Sequence, residues 1–127
     1  MAKTIKFEAT IGVVEGYGHD NEGAVDTASV VAEVWQKKAG EEFAQSGLYI
    51  SASVSSSITV YAVDWGCPQG GELTATVSGS ANPEFTQDLV AWKQAALRVV
   101  GAVKKELRQS TVVVEFSEVE HHYLADN

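Results

Sequence analysis

The chain opens on a regular alternation of apolar and polar residues, which is typical of a β-strand with one buried face. The apolar members of this first strand share one parity and are Ile5, Phe7, Ala9, Ile11 and Val13. Alternation returns between residues 72 and 79, and a run rich in β-branched residues covers 111–119. These patterns predict three strands.

The stretch between residues 48 and 65 also alternates, but three consecutive serines at 55–57 interrupt it. Its apolar positions keep the same parity on both sides of the serines. The pattern therefore predicts either a single long strand or two pieces joined by a bend. The glycine-rich residues 65–71 that follow have the composition of a turn.

Two segments show helical periodicity. Asp26 fits the N-cap of the first helix, and Gly47 closes it. The apolar positions of this helix are Val30, Val31, Val34, Trp35 and Phe43. Asn82 fits the N-cap of the second helix, and Pro83 fits its first position. The apolar stripe of the second helix consists of Phe85, Leu89, Trp92, Ala96, Val99, Val100, Val103 and Leu107.

The predicted order is β-α-β, a turn, and β-α-β. Right-handed crossovers in both halves give a four-stranded antiparallel sheet in the order 4-1-3-2, with both helices on one face. This is a ferredoxin-like α+β sandwich, and residues 1–127 form a single domain. The other sheet face is rich in serine and threonine, so either water or another subunit covers it. We expect a homo-oligomer.

The balance of charge narrows the range of partners. The 127 residues include 9 basic and 17 acidic ones, a net charge of −8, which disfavours binding to nucleic acid or to a membrane surface. Cys67 is the single cysteine, and no apolar run is long enough to cross a bilayer. The first residues run directly into a strand pattern without an apolar signal region. We therefore expect a cytoplasmic protein.

Chemistry-bearing residues gather at one end of the predicted sheet, in the loop after the first strand and in the glycine-rich turn. We predict His19 and Glu72 as catalytic residues at this end, since an imidazole and a carboxylate can exchange protons. The predicted ligand-binding residues here are Tyr17, Asp64, Trp65 and Cys67. Gly70 and Gly71 would let the backbone approach a ligand closely.

Each of these features also has a simpler interpretation. His19 is a common loop residue, and Glu72 can be a solvated carboxylate after a hairpin turn. Cys67 has no evident base to activate it, and Trp65 can pack against its own sheet edge. Glu118, Glu120 and His122 share one side of the last strand, but charged residues near a terminus are usually solvated. We expect no metal and no cofactor.

The sequence contains no phosphate-binding loop, dinucleotide fingerprint, CxxC, HExxH or nucleophile-elbow motif, so it names no reaction. Two functions fit the pattern. The first is binding of a small molecule, with or without catalysis, in a cleft at the loop end of the sheet or between subunits. The alternative is a non-catalytic protein–protein interaction or structural module.

Overall fold

A computed structural model describes residues 2–13 and 26–126. The elements follow one another as β1 (Ala2–Gly12), α1 (Thr27–Ser46), β2 (Ser53–Thr59), β3 (Glu72–Ser80), α2 (Leu89–Glu106) and β4 (Val113–His121). A short 3₁₀ turn, Val63–Trp65, lies between β2 and β3. The strands form one antiparallel sheet in the order β2-β3-β1-β4, which confirms the predicted α+β fold and its strand order.

The core lies between the sheet and the two helices, and Phe7 of β1 is at its centre. The Phe7 ring stacks on Trp35 of α1 at a centroid distance of 5.4 Å and meets Trp92 of α2 at 6.0 Å. All three side chains are buried. Both helices therefore pack on the sheet face that carries Phe7, and the opposite face, here called the open face, carries no helix.

Helix α1 begins and ends where the sequence predicts. Asp26 accepts hydrogen bonds from the backbone N–H and the hydroxyl of Ser29, at 3.3 and 2.9 Å. Gly47 closes the helix in the left-handed conformation, with φ 77°, and its N–H donates to the Phe43 carbonyl. Phe43 itself is not a core residue, because half of it is exposed and its ring lies against Tyr49.

Helix α2 begins later than predicted, and Asp88 rather than Asn82 is its N-cap. The Asp88 carboxylate accepts from the backbone N–H of Ala91 at 3.0 Å. Residues 82–85 form a separate turn in which the Phe85 N–H donates to the Asn82 carbonyl. Asparagine followed by proline is favourable at the first two positions of such a turn as well as at a helix start. Phe85 therefore lies outside the core and is largely exposed.

The long alternating segment 48–65 contains one seven-residue strand, Ser53–Thr59, and the three serines lie inside it. Ser55 and Ser56 are exposed, and cross-strand hydroxyl contacts on the open face satisfy Ser57. Ser57 Oγ lies 2.9 Å from Thr74 Oγ1, and the Thr76 hydroxyl donates to Ser57 Oγ at 3.0 Å. Ile50, which precedes the strand, is fully buried.

An ion pair joins the two helices. The Arg98 guanidinium of α2 donates from Nε and Nη2 to the two carboxylate oxygens of Glu42 in α1, at 2.9 and 2.8 Å. Such forked, charge-assisted pairs are stronger than neutral hydrogen bonds. The hydrogen bonds from Arg98 lower the pKa of the Glu42 carboxyl below its ordinary value.

We expect Glu42→Gln to lower the free energy of unfolding by about 1–3 kcal/mol at pH 7, because the variant leaves a charged partner poorly satisfied. The folded protein depresses the pKa of Glu42, so this stabilisation is present above the ordinary glutamate pKa of about 4.3 and is lost as the pH falls below it. Urea unfolding of the wild type and of Glu42→Gln at pH 7 and pH 3 measures this effect. We expect the difference in their free energies of unfolding to be smaller at pH 3. Glu33→Gln, at an exposed position of α1, is the control and should stay within about 0.5 kcal/mol of wild type. An equal difference in the free energy of unfolding at both pH values would contradict the conclusion that the ionised Glu42 carboxylate stabilises the fold.

Candidate functional site

A cleft of about 420 Å³ lies on the open face, at the end of the sheet where β1 and β2 finish and β3 and β4 start. The register places Gly12 opposite Thr74 and Thr59 opposite Glu72, so the loop after β1 and the turn between β2 and β3 leave from the same end, as predicted. The cleft is lined by three aromatic or apolar side chains, Tyr61, Trp65 and Val113, together with Glu72, Gln109, Gly12 and four threonines. Its volume is within the range of small-molecule sites.

A carboxylate and a phenol meet in this cleft. The Tyr61 hydroxyl donates to Glu72 Oε1 at 3.3 Å, and both side chains are half-buried. Glu72 is the first residue of β3, and Tyr61 follows β2, so the strand pairing itself brings them together. The arrangement orients an anionic acceptor towards the cleft, where it can bind a cationic or N–H-bearing group.

Hydroxyl groups form the floor of the cleft. Thr74 Oγ1 lies 2.9 Å from Thr59 Oγ1 and also donates to the Ser57 carbonyl at 3.3 Å. Together with the Ser57 and Thr76 hydroxyls they form a ladder across β2 and β3. This floor is polar but uncharged.

Trp65 is an aromatic wall held by a well-defined backbone. The backbone N–H of Trp65 donates to the Ala62 carbonyl at 2.9 Å. Gly66, which is left-handed with φ 102°, ends the 3₁₀ turn. Trp65 is nevertheless 77% exposed. The turn thus holds the indole in contact with solvent, where its flat face can stack on a planar ligand.

The structure places four of the six predicted site residues. Trp65 and Glu72 line the same cleft. Asp64 is exposed in the 3₁₀ turn and does not line the cleft, whereas Cys67 is buried with its sulfur near the Pro68 carbonyl. Tyr17 and His19 lie outside the described residues, so their roles stay predictions.

Sequence reasoning did not single out Tyr61, Gln109 or Gly12 as site residues. Tyr61 has the same parity as Thr59 on the open face, and the pairing of Thr59 with Glu72 was the signal that could have found it. Gln109 follows α2 in an irregular segment, and no local pattern marks it. Gly12 differs from other glycines only in the structure, where the Gln109 and Glu72 side chains lie close to it.

Two other depressions lie away from this cleft. One of about 640 Å³ runs between α1 and residues 49–52, and one of about 490 Å³ lies at the opposite end of the sheet. Both are larger. The first is lined by Glu33, Tyr49 and Trp35, but the Trp35 indole is buried and its N–H donates to the Ile50 carbonyl, and the second has no carboxylate in its lining. The cleft at Glu72 combines a carboxylate that is hydrogen-bonded to a phenol with an indole that is exposed to a ligand. We therefore take the cleft at Glu72 as the candidate site.

Two separate side-chain pairs lie near the end of β4. Lys3 Nζ lies 3.6 Å from Glu118 Oε1, and His122 Nε2 lies 2.9 Å from Glu120 Oε2. Within residues 2–13 and 26–126, no group of three or more histidine, cysteine, aspartate or glutamate side chains is arranged to hold a metal ion. In the same residues, neither helix has the length and apolarity that a membrane span needs. The cytoplasmic location stays a prediction.

Comparison with known proteins identifies relatives of this fold. The sequence model of the SAM lyase family matches residues 2–125. A solved phage SAM lyase in complex with S-methyl-5′-thioadenosine superposes with a TM-score of 0.59 and 13% identity, covering 91% of this chain and 81% of that one. The apo form of a phage SAM lyase superposes with a TM-score of 0.58 and 12% identity, again covering 91% of this chain and 81% of that one. No curated protein matches the sequence. The match over residues 2–125 shows that this chain belongs to the SAM lyase family.

Proposed function

We propose that this chain binds S-adenosylmethionine (SAM) in the cleft at Glu72 and cleaves it as a lyase, releasing S-methyl-5′-thioadenosine (MTA). The observation that carries the proposal is the Glu72–Tyr61 pair beside an exposed indole, in a chain that belongs to the SAM lyase family. The ligand named for the related phage enzyme, MTA, supports the choice of product.

The charge of the substrate fits the charge of the protein. SAM carries a sulfonium, an ammonium and one carboxylate, so it is a net cation near neutral pH. The chain has a net charge of −8, which attracts cations over a distance. Within the cleft, Glu72 is the carboxylate that can receive a positive group directly.

The reaction needs little from the protein beyond binding and orientation. The bond between the sulfur and Cγ of the methionine portion breaks, and its electron pair goes to sulfur, which becomes the neutral thioether of MTA. The substrate's own carboxylate forms a new C–O bond to Cγ and closes a lactone. Atoms and charges balance without water, a base or a redox partner. The cleft must hold the carboxylate near Cγ, and such positioning lowers a barrier substantially.

The mixed polarity of the cleft suits a reaction in which the sulfonium loses its charge. A region of low polarity favours the neutralised product over the charged sulfonium. Trp65, Tyr61 and Val113 supply apolar surface. Trp65 also offers a face on which the adenine ring stacks.

We expect Glu72→Gln to lower kcat/KM for SAM by about 10- to 100-fold, since a hydrogen bond to a charged group contributes about 1.5–3 kcal/mol. Chromatographic quantification of MTA and of the lactone after incubation with SAM measures this. Glu115→Gln, at an exposed position of β4 on the same face, is the matched control and should keep wild-type activity. Full activity in Glu72→Gln would remove this residue from the site, and a wild-type protein that forms no MTA would overturn the proposal.

Trp65 can be observed separately from the other two tryptophans, because Trp35 and Trp92 are buried. We expect acrylamide to quench mainly the Trp65 fluorescence and saturating MTA to protect it. Trp65→Phe should abolish the quenchable component while retaining MTA binding through the smaller ring. If calorimetry shows that MTA binds and acrylamide quenching of Trp65 is unchanged, Trp65 does not contact the adenine.

We also propose that the chain forms a homo-oligomer through the β2 side of the sheet. β2 is an edge strand, and large apolar side chains near it are exposed, among them Ile58, Val60 and Val63. Exposed edges of this kind pair with another chain unless they are blocked. We expect sedimentation at micromolar concentration to show an oligomer and Val60→Lys to shift it towards monomer. A wild-type monomer under these conditions would refute the proposal.

A further inference from the structure

Two cleft side chains lie so close to the end of β1 that position 12 has no room for a side chain. A Cβ atom built on Gly12 would lie 2.8 Å from Gln109 Oε1 and 3.4 Å from Glu72 Oε2. An amide oxygen and a carboxylate oxygen thus surround the same point, next to the backbone of β1. Both residues line the cleft at Glu72.

The local backbone fixes the orientation of Gln109. After α2, the Arg108 N–H donates to the Lys105 carbonyl, and the Gln109 N–H donates to the Lys104 carbonyl at 3.0 Å. This is the hydrogen-bond pattern of a Schellman motif, in which the position held by Arg108 is left-handed. Arg108 has φ 53°, in the left-handed region that residues with a side chain rarely adopt.

The side-chain amide of Gln109 has a defined direction as well. Its Nε2 donates to the Leu107 carbonyl at 3.0 Å, so Oε1 is the atom that faces Gly12. The residue is 8% exposed. A buried, oriented carbonyl oxygen beside a carboxylate forms a pair of acceptors.

Acceptors of this kind distinguish between the two cationic groups of SAM. The sulfonium has no N–H, whereas the α-ammonium has three. The reaction also removes the charge from sulfur and leaves the ammonium charged. A carboxylate paired with the ammonium binds the substrate without opposing the reaction, whereas one paired with the sulfonium would stabilise the ground state more than the transition state.

We infer that Gln109 and Glu72 together bind the α-ammonium group of SAM on the cleft side of Gly12, whose lack of a side chain lets both of them lie against the end of β1. The inference rests on the proposed function and adds a substrate-binding residue, Gln109, to it. MTA has no ammonium group. The pair therefore holds the substrate but not this product.

Two uncleaved ligands separate this contact from the rest of the site. S-adenosylhomocysteine and MTA share the adenosine and a neutral sulfur, and only the former carries the α-ammonium. We expect Gln109→Met, which keeps the length of the side chain without the acceptor, to weaken S-adenosylhomocysteine binding about tenfold or more in calorimetry. Binding of MTA should change less than twofold.

Gly12→Ala tests the same contact without altering Gln109. The added methyl would displace the far end of the Gln109 side chain, so it should weaken S-adenosylhomocysteine binding selectively. Gly40→Ala is the matched control, because no atom lies within 4 Å of a Cβ there. It should leave the binding of both ligands unchanged.

The outcomes separate the two proposals. Equal weakening of both ligands in Gln109→Met and Gly12→Ala would show a structural role only and overturn the inference, as would unchanged binding of S-adenosylhomocysteine. In either case the proposed function would stand, provided that the wild-type protein forms MTA from SAM. A wild-type protein that binds neither ligand and forms no MTA would overturn both.

Discussion

The contact of Phe7 with Trp35 and Trp92 determines how the rest of the molecule is arranged. One ring of the sheet touches one indole from each helix, at 5.4 and 6.0 Å, so the sheet and both helices share a single aromatic centre. The Trp35 N–H also donates to the Ile50 carbonyl at 3.0 Å, which ties the segment before β2 to α1. Because large aromatic residues bury much apolar surface, this centre leaves no other face for the helices.

The position of the helices explains why the site lies on the open face. The core covers one face of the sheet, and the strands present many hydroxyl groups on the other. The connections at one end of the sheet form the walls of the cleft on this second face. Two connections at this end contain residues with positive φ. Gly66, Gly71 and Arg108 all have positive φ, and each lies in a connection that delivers or flanks a cleft residue. Glycine adopts this conformation freely, so Arg108 alone of the three carries a conformational cost.

Sequence patterns predicted the elements better than their boundaries. Alternation and helical spacing are long-range signals repeated over many residues, so the strands, the helices and the strand order follow from them. The start of α2 depends on a choice between two capping residues, Asn82 and Asp88, and the preceding proline suits either a turn or a helix. Glu72 and Trp65 could be placed at the cleft because strand direction alone decides which connections meet. Gln109 could not, because its position depends on the side-chain amide bonding to Leu107 and on a left-handed Arg108.

The hydroxyl ladder under the cleft has a direction. Each hydroxyl has one proton to give. When the Thr74 proton goes to the Ser57 carbonyl, the Ser57 and Thr59 hydroxyls both donate to Thr74 Oγ1, and Thr76 donates to Ser57. In that arrangement all four protons are used within the protein. The ladder then presents only lone pairs at its end in the cleft, and a ligand group that lies against Thr59 has to bring its own proton.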